Sequence, residues 1–299
     1  MNPGHSLVWI PATIAAATFQ VGRNALQRGV MSSAGPWGGT LVRFLFGLPF
    51  STAFALLALA MVPAARLDFS SAFWLSAVAG AASQVLATAA LLSAMHRAGF
   101  AVGTALQQSS LPMTAVLGLL IYDDRLSAVA WLGVAITTVG LATLTWPSGE
   151  PRPQRLSGAA LGLLSGLFFG FSLDAFRHSS LALDARHPAL AAIVSVAVVQ
   201  AMQASALTAI LLVRSPETVH AVLRSWRVSV GAGLCGTCAS LGWFVALALS
   251  PAAPVRALGI VEAPIAAFAG HRLFRETLGI KEIAGGLAVI VGIVLTSLW

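Results

Sequence analysis

Long apolar segments follow one another along the whole chain, and they constrain its fold more than any other feature. A helix that crosses a bilayer needs about 20 mainly apolar residues. Ten segments of that kind, bounded by charges, Pro or Gly, lie at residues 4–22, 36–62, 72–95, 99–121, 127–146, 157–177, 188–213, 227–249, 252–273 and 279–298. The chain has 299 residues, so only short connectors remain. We therefore predict an all-α integral membrane protein with ten transmembrane helices.

The charge composition argues against a soluble domain and against nucleic acid as a partner. Only 9% of the residues are Asp, Glu, Lys or Arg, compared with roughly 25% in soluble proteins. The net charge is +7, but the basic residues lie singly at the ends of apolar segments, where they fix topology and contact lipid headgroups. The lipid bilayer is therefore the predicted surrounding.

The two halves of the sequence match when one is shifted by 152 positions. The matched pairs are Trp74 with Trp226, Pro112 with Pro264, Gly118 with Gly270, Asp124 with Glu276, Leu126 with Leu278, Gly133 with Gly285 and Gly140 with Gly292. A Pro-rich linker at Pro147–Arg155 separates the halves, which predicts repeats at 1–150 and 151–299.

Each half contains five predicted spans. Because five is an odd number, the second repeat would enter the membrane from the opposite side and would be inverted relative to the first. Such repeats typically enclose a central cavity with a substrate site near the membrane midplane. We expect spans one, three, four, six, eight and nine around it, and spans five and ten at the periphery.

The second half resembles the end of an EamA-type repeat of the drug/metabolite transporter superfamily. The resemblance rests on Glu262-x-Pro264 inside a span, Glu276 in the next loop and a Gly-rich last span. The counterparts in the first half are Arg43-Phe44, Ser110-x-Pro112, Asp123–Ser127 and Trp131–Gly133.

The resemblance implies a multi-pass secondary transporter of the bacterial inner membrane that works without ATP, metal or other cofactor. Its substrate would be a small metabolite, and export of amino acids, aromatic ones in particular, is the preferred function. A monomer fits this expectation. The small multidrug members carry a Glu in their first helix, which span one lacks, so their proton-antiport mechanism is not carried over.

Glu262 is the one acidic residue near the middle of a predicted span. An ionisable group at that depth is costly unless it is paired, protonated or hydrated. It would either face the cavity, where it binds a substrate ammonium or exchanges protons, or serve as a structural carboxyl that caps the break at Pro264 or pairs with an arginine. Arg43 would bind carbonyls or a carboxylate, that of the substrate included. Arg256, near the start of a span, would snorkel to the interface.

Uncharged polar and aromatic residues within the spans supply the other candidates. A cavity for a zwitterion uses amides and hydroxyls together with aromatic walls, whereas interhelical hydrogen bonds and lipid-facing aromatics are the alternative. The substrate-binding candidates of this kind are Gln84, Gln107, Gln108, Ser110, Trp243, Phe19 and Phe171. Pro112 and Pro264 are hinge candidates, because proline removes a backbone hydrogen bond and kinks a helix.

Three further patterns receive a structural interpretation. Glycines at every fourth residue of span six predict a close-packing face; they are Gly158, Gly162, Gly166 and Gly170. Cys235 and Cys238, at i and i+3, share one helix side and are expected to pack rather than to bind metal or exchange disulfides. Asp174 and Arg177 are expected to form a local surface pair.

The basic residues also predict an orientation. We number the loops along the chain, starting with the loop after the first span. The odd-numbered loops hold eleven basic residues and the even-numbered loops hold four. The positive-inside rule then places the odd loops in the cytoplasm and both termini outside, whereas the family more often has cytoplasmic termini. The sequence contains no catalytic motif, so we do not predict an enzyme. Sugars, lipid-linked compounds and cationic drugs are the alternative substrates.

Overall fold

A computed structural model describes residues 8–63, 65–122, 126–145, 153–250, 252–262, 265 and 280–297. These residues form helices and no strand. The helices are α1 (Trp9–Leu45), α2 (Leu48–Met61), α3 (Ser71–Ala98), α4 (Phe100–Gln107), α5 (Ser110–Tyr122), α6 (Ala128–Thr145), α7 (Pro153–Leu183), α8 (Pro188–Arg214), α9 (Pro216–Arg224), α10 (Trp226–Leu249), α11 (Ala252–Gly259) and α12 (Ile280–Ser297).

Five helical stretches among the described residues are long and apolar enough to cross a membrane. They are Trp9–Met61, which contains α1 and α2, and then Ser71–Ala98, Leu156–Leu183, Pro188–Arg214 and Trp226–Leu249. Apolar helices of this length are the mark of an all-α membrane protein, in agreement with the predicted class. Shorter apolar helices lie at Ser110–Ile121 and Ala128–Gly140.

The first helix departs from the predicted boundaries. The sequence predicts that span one ends at residue 22, whereas α1 continues to Gly35, where a φ of +65° interrupts the helical backbone. Arg23 is therefore a helical residue with a fully buried side chain, and its assignment to a loop is wrong. Arg28 lies in the same part of α1, and without these two arginines the odd loops hold nine basic residues against four, so the charge bias keeps its direction.

The first compact unit combines the described residues up to Val85 with Ser172–Ser250. Within it, α1 packs along α10, α8 packs on α2 and α10, and α9 lies on α1. Phe176 stacks on Phe244 with 4.4 Å between the ring centroids, inside a core made otherwise of Ala, Val and Leu side chains with Phe73. This core holds the end of α7 against α10.

Arg177 caps α10 in this unit. Its Nη1 donates to the carbonyl oxygens of Leu247 at 2.5 Å and Ser250 at 2.6 Å. The last carbonyls of a helix have no partner within it, and a cation there is favoured by the helix dipole. The predicted location of the Asp174–Arg177 pair at the surface is wrong, because Asp174 is buried.

The second compact unit combines Leu86–Phe171 with the described residues after Pro251. Within it, α6 packs along α12, and α11 lies on α5 and α12. Gly292 of α12 makes the close approach to α6 possible: a Cβ built there would lie 2.6 Å from the carbonyl oxygen of Gly133. The last helix of each sequence half is thus packed against the other.

Each unit contains helices from both halves of the sequence. The repeat boundary at residues 150 and 151 concerns the sequence rather than the packing, and it stays a prediction. Most of the linker Pro147–Arg155 lies outside the described residues, and α7 begins at Pro153.

The glycine stripe of α7 forms the close-packing face that the sequence predicts. Each glycine lies against a residue of α3, α4 or α5, or of the segment between α4 and α5; the pairs are Gly158 with Ala98, Gly162 with Leu106, Gly166 with Ser109 and Ser110, and Gly170 with Met113. A side chain at these positions would hold the helices apart.

The break in α1 requires glycine. Gly35 has open space around its Cα, as does Gly29 one turn and a half earlier in the same helix, but only Gly35 has a positive φ. We expect Gly35→Ala to lower the free energy of unfolding by about 1–3 kcal/mol through backbone strain. Gly29→Ala should leave it unchanged or raise it by up to about 1 kcal/mol. Thermal unfolding of the two variants in detergent checks this, and equal midpoints would contradict the backbone argument.

The stripe of α7 gives a packing prediction. A Cβ on Gly166 would lie 2.9 Å from the Ser110 amide nitrogen and would overlap the Ser109 side chain. Overpacking of this kind costs about 1–3 kcal/mol, which exceeds the gain in helix propensity, so Gly166→Ala should lower the unfolding midpoint. Gly231→Ala, whose new Cβ would meet Leu26 at an ordinary 3.5 Å, is the control. A midpoint for Gly166→Ala at or above that of the control would refute tight packing here.

Candidate functional site

The fourth and ninth predicted spans are both interrupted, and at equivalent positions. The helix of span four breaks at Gln108 and Ser109, between α4 and α5. The helix of span nine breaks at Ile260 and Val261, after α11, and helical structure resumes at Glu262. A shift of 152 positions places one break on the other. The two halves of the chain therefore share a helix break at matched positions.

The same turn is formed at both breaks. The Ser109 N–H donates to the Leu106 carbonyl oxygen at 3.1 Å, and the Val261 N–H donates to the Leu258 carbonyl oxygen at 3.2 Å. These are three-residue turn bonds, tighter than the four-residue bonds of an α-helix. The residues that form the second turn bond lie 152 positions after those that form the first.

Proline explains why the first break lies where it does. Pro112 stands in the first turn of α5, four residues after Gln108. Its ring clashes with the carbonyl four residues earlier and it has no N–H to donate there, so a continuous helix through Gln108 is disfavoured. The break therefore precedes the predicted hinge residue Pro112. Pro264 stands four residues after Ile260 in the sequence and lies outside the described residues.

Arg256 of α11 connects the two broken helices. Its Nε donates to Ser110 Oγ at 2.6 Å, and its Nη2 donates to Gln108 Oε1 at 2.5 Å. Its Nη1 lies 3.8 Å from Glu262 Oε2, and the side chains of Arg256 and Glu262 are only 3% and 0% exposed. We call Gln108, Ser110, Arg256 and Glu262 the broken-helix site. The predicted snorkelling of Arg256 is wrong, because groups inside the protein bind its guanidinium.

Matched positions of the two halves converge in this site. Ser110 and Glu262 are equivalent under the shift of 152, and both contact Arg256. Of the two roles foreseen for Glu262, the pairing with an arginine is present. A role toward a substrate stays a prediction.

Further polar groups surround the α4–α5 break. Gln107 and Gln108 are buried, as is Ser109. Gln107 Oε1, Gln108 Nε2 and Ser109 Oγ have no hydrogen-bond partner in the part of the chain that the structure describes. Buried polar groups are normally satisfied, so this break holds unused donors and acceptors next to a charged pair. Such an arrangement can bind a small polar ligand.

Arg43 and Gln84 lie in the first unit, in contacts of their own. Arg43 is buried and donates from Nη2 to Ser240 Oγ at 3.3 Å. Gln84 Oε1 accepts a hydrogen bond from Gln203 Nε2 at 2.9 Å. A cleft with an empty volume of about 190 Å³ lies here, lined among others by Phe44, Gln84, Gln200, Gln203, Ser240 and Phe244. Only about 10 Å³ of that volume is open to the centre of a water molecule, which is room for about one water, so the cleft is too small for most metabolites as it stands.

The aromatic candidates divide between the two units. Trp243 is buried in the first unit and donates from Nε1 to Gln20 Oε1 at 2.9 Å. Phe19 is 41% exposed, and Phe171, in the second unit, is half-buried. The cysteines Cys235 and Cys238 are free and half-buried. The structure thus joins Gln108, Ser110 and Glu262 in the second unit, with Gln107 beside them in the sequence, whereas Arg43, Gln84, Trp243 and Phe19 belong to the first unit.

Sequence reasoning missed Arg256 and Gln203 as polar partners inside the helices. Gln203 carries the same signal as Gln84, an amide in the middle of a span, and could have been found by it. Arg256 could have been found from its position six residues before Glu262, which is itself followed by Pro264. A charge on each side of a proline-induced break indicates a pair rather than an interfacial residue.

The broken-helix site predicts energetic coupling between Arg256 and Glu262. Arg256→Met removes the cation beside a buried carboxylate and should lower the free energy of unfolding by about 3–5 kcal/mol. Glu262→Gln in the same background should cost less than it does alone, with a coupling of about 0.5–3 kcal/mol. Unfolding of both single variants and the double variant in detergent measures this coupling, and strictly additive losses would show that the pair does not interact.

Comparison with known proteins adds information on the fold. No protein-family model and no curated protein matches the chain. Solved structures do match it, and one of them, a crystal structure, aligns with 100% of this chain and 99% of its own at a TM-score of 0.64 and 15% sequence identity. At that identity the likeness concerns the fold alone: the whole chain is similar to an experimentally observed architecture.

Proposed function

We propose that the protein is a secondary transporter of small organic metabolites, of the drug/metabolite transporter type. The observation that carries the proposal is the pair of helix breaks at matched positions, bridged by the buried Arg256. Transporters with inverted repeats build their substrate sites from discontinuous helices, because the break exposes polar backbone and side-chain groups at the membrane midplane. A purely structural membrane protein has no need of two such breaks with a charged pair.

The make-up of the two units supports the inverted-repeat part of the proposal. Each unit takes helices from both sequence halves, so neither half forms a separate body. Intertwined halves are expected when two inverted five-helix repeats build two bundles that rock during transport. In this proposal ten helices cross the bacterial inner membrane, and the protein acts as a monomer.

The polar groups at the site favour amino acids as substrates, and the resemblance to EamA-type transporters favours export as the direction. A guanidinium, a carboxylate and neutral amides together match the ends of an amino acid. Transport would follow the substrate gradient, a proton gradient or exchange, and would use no ATP. Sugars, lipid-linked compounds and cationic drugs are the competing substrate classes.

Counterflow in proteoliposomes tests the proposal. We expect the purified full-length protein to exchange at least one member of a panel of amino acids, amines and sugars across the vesicle wall. Glu262→Gln should reduce that exchange by about tenfold or more, the factor that about 1.4 kcal/mol of lost interaction corresponds to, or should change its dependence on pH. Glu217→Gln, the same change at an exposed carboxylate of α9, is the matched control. Absence of exchange for the entire panel, with the protein folded, would overturn the proposed function.

A further inference from the structure

We propose that Arg256 and Glu262 form a charge filter that selects ligands of zero net charge, with the ligand carboxylate bound by Arg256 and its ammonium by Glu262. The inference rests on the proposed transport function and assigns the residues that determine its specificity. A zwitterion would enter between the two side chains and replace one ion pair by two.

The geometry of Arg256 allows this replacement. Its Nε and Nη2 are held by Ser110 and Gln108 at 2.6 and 2.5 Å, whereas Nη1 lies 3.8 Å from Glu262. Charge-assisted hydrogen bonds in the strong range measure about 2.7–2.9 Å. The guanidinium is therefore anchored by neutral groups of the other broken helix, and it keeps its place when Glu262 moves away.

A second donor lies beside the guanidinium. Gln108 Oε1 accepts a hydrogen bond from Arg256, and Gln108 Nε2 has no hydrogen-bond partner among the described residues although the side chain is fully buried. An incoming carboxylate can accept from this amide as well as from Arg256. Binding would thus satisfy a buried donor that the described residues leave without a partner.

The break in the helix allows the pair to open. Arg256 lies before Ile260 and Val261, and Glu262 lies after them. At the break the backbone bonds are the turn bonds of Ile260 to Ala257 and of Val261 to Leu258, which do not continue the α-helical series. Glu262 can therefore shift relative to Arg256 without disrupting a regular helix.

Charge balance then provides the selection. Arg256 and Glu262 together carry no net charge, and a zwitterion adds none. An amine or a carboxylic acid adds a full charge to a site without solvent contact. Inside a membrane-spanning segment an added net charge is disfavoured by a factor on the order of a hundred.

Three probes that share a phenyl ring and a two-carbon chain separate the charge states: phenylalanine, phenethylamine and 3-phenylpropionate. If phenylalanine is not exchanged, the best amino acid of the counterflow panel and its decarboxylated and deaminated analogues take their place. We expect wild-type protein in proteoliposomes to prefer the amino acid over both analogues by on the order of a hundredfold. Equal exchange of all three probes, or exchange of sugars alone, would overturn the charge filter while leaving the transporter proposal in place.

Neutralising one charge at a time should reverse the selectivity in opposite directions. Glu262→Gln leaves the cation and should favour 3-phenylpropionate, whereas Arg256→Gln leaves the anion and should favour phenethylamine, each by about tenfold or more relative to wild type. Glu217→Gln should change neither ratio. Two variants that merely lose activity on all probes alike would overturn the assignment.

A binding measurement covers the case in which a variant folds but does not transport. At equal concentration, each probe should raise the unfolding midpoint of detergent-purified protein by more the tighter it binds. The order of the three shifts should reverse between Glu262→Gln and Arg256→Gln. The same order in wild type and both variants would overturn the inference.

Discussion

A guanidinium without solvent contact has to find its partners inside the protein, and this requirement at Arg256 determines what surrounds it. Removing an ion from water costs several kcal/mol, and good hydrogen-bond geometry is needed to offset that loss. The partners come from two separate helices, Gln108 and Ser110 on one side and Glu262 on the other. Neither a regular α4–α5 helix nor a regular helix after α11 is compatible with this arrangement, so the breaks and the arginine belong together.

Two residue types without charge make the arrangement possible. Pro112 disfavours a helix through Gln108, so the polar side chains of the break are not fixed by a continuous backbone ladder. Gly166 lets α7 approach Ser109 and Ser110 more closely than a side chain would permit. The break is thereby held on one side by backbone packing and on the other by hydrogen bonds to Arg256. A site of this kind is constrained in position yet contains a flexible point in each helix.

The helix bounds could be predicted where a continuous apolar segment determines them, as for α3, α8 and α10, because length and hydropathy alone fix such helices. The sequence also located the matched prolines, and with them the two interrupted spans. Side-chain positions were harder to predict. Arg23 and Arg256 were assigned to interfaces because a position near a segment end does not reveal which partner the folded chain offers. Arg43 and Glu262 show the same limit. Sequence spacing does not show which helices pack together, so it does not reveal that Arg43 makes its contacts in the first unit and Glu262 in the second.

The two matched positions in the broken-helix site differ in a way that matters for charge. Ser110 is neutral and Glu262 is acidic, although the repeat places them at equivalent points and both contact the same guanidinium. With a second acid at position 110 the site would carry a net negative charge, and with a second neutral residue at 262 a net positive one. Duplication alone would produce matched residues. The asymmetry leaves one cation and one anion with a neutral anchor, a combination suited to the dipolar ligand that we propose, which adds no net charge to the interior. The difference between the two matched positions, rather than their match, therefore gives the site its chemical character.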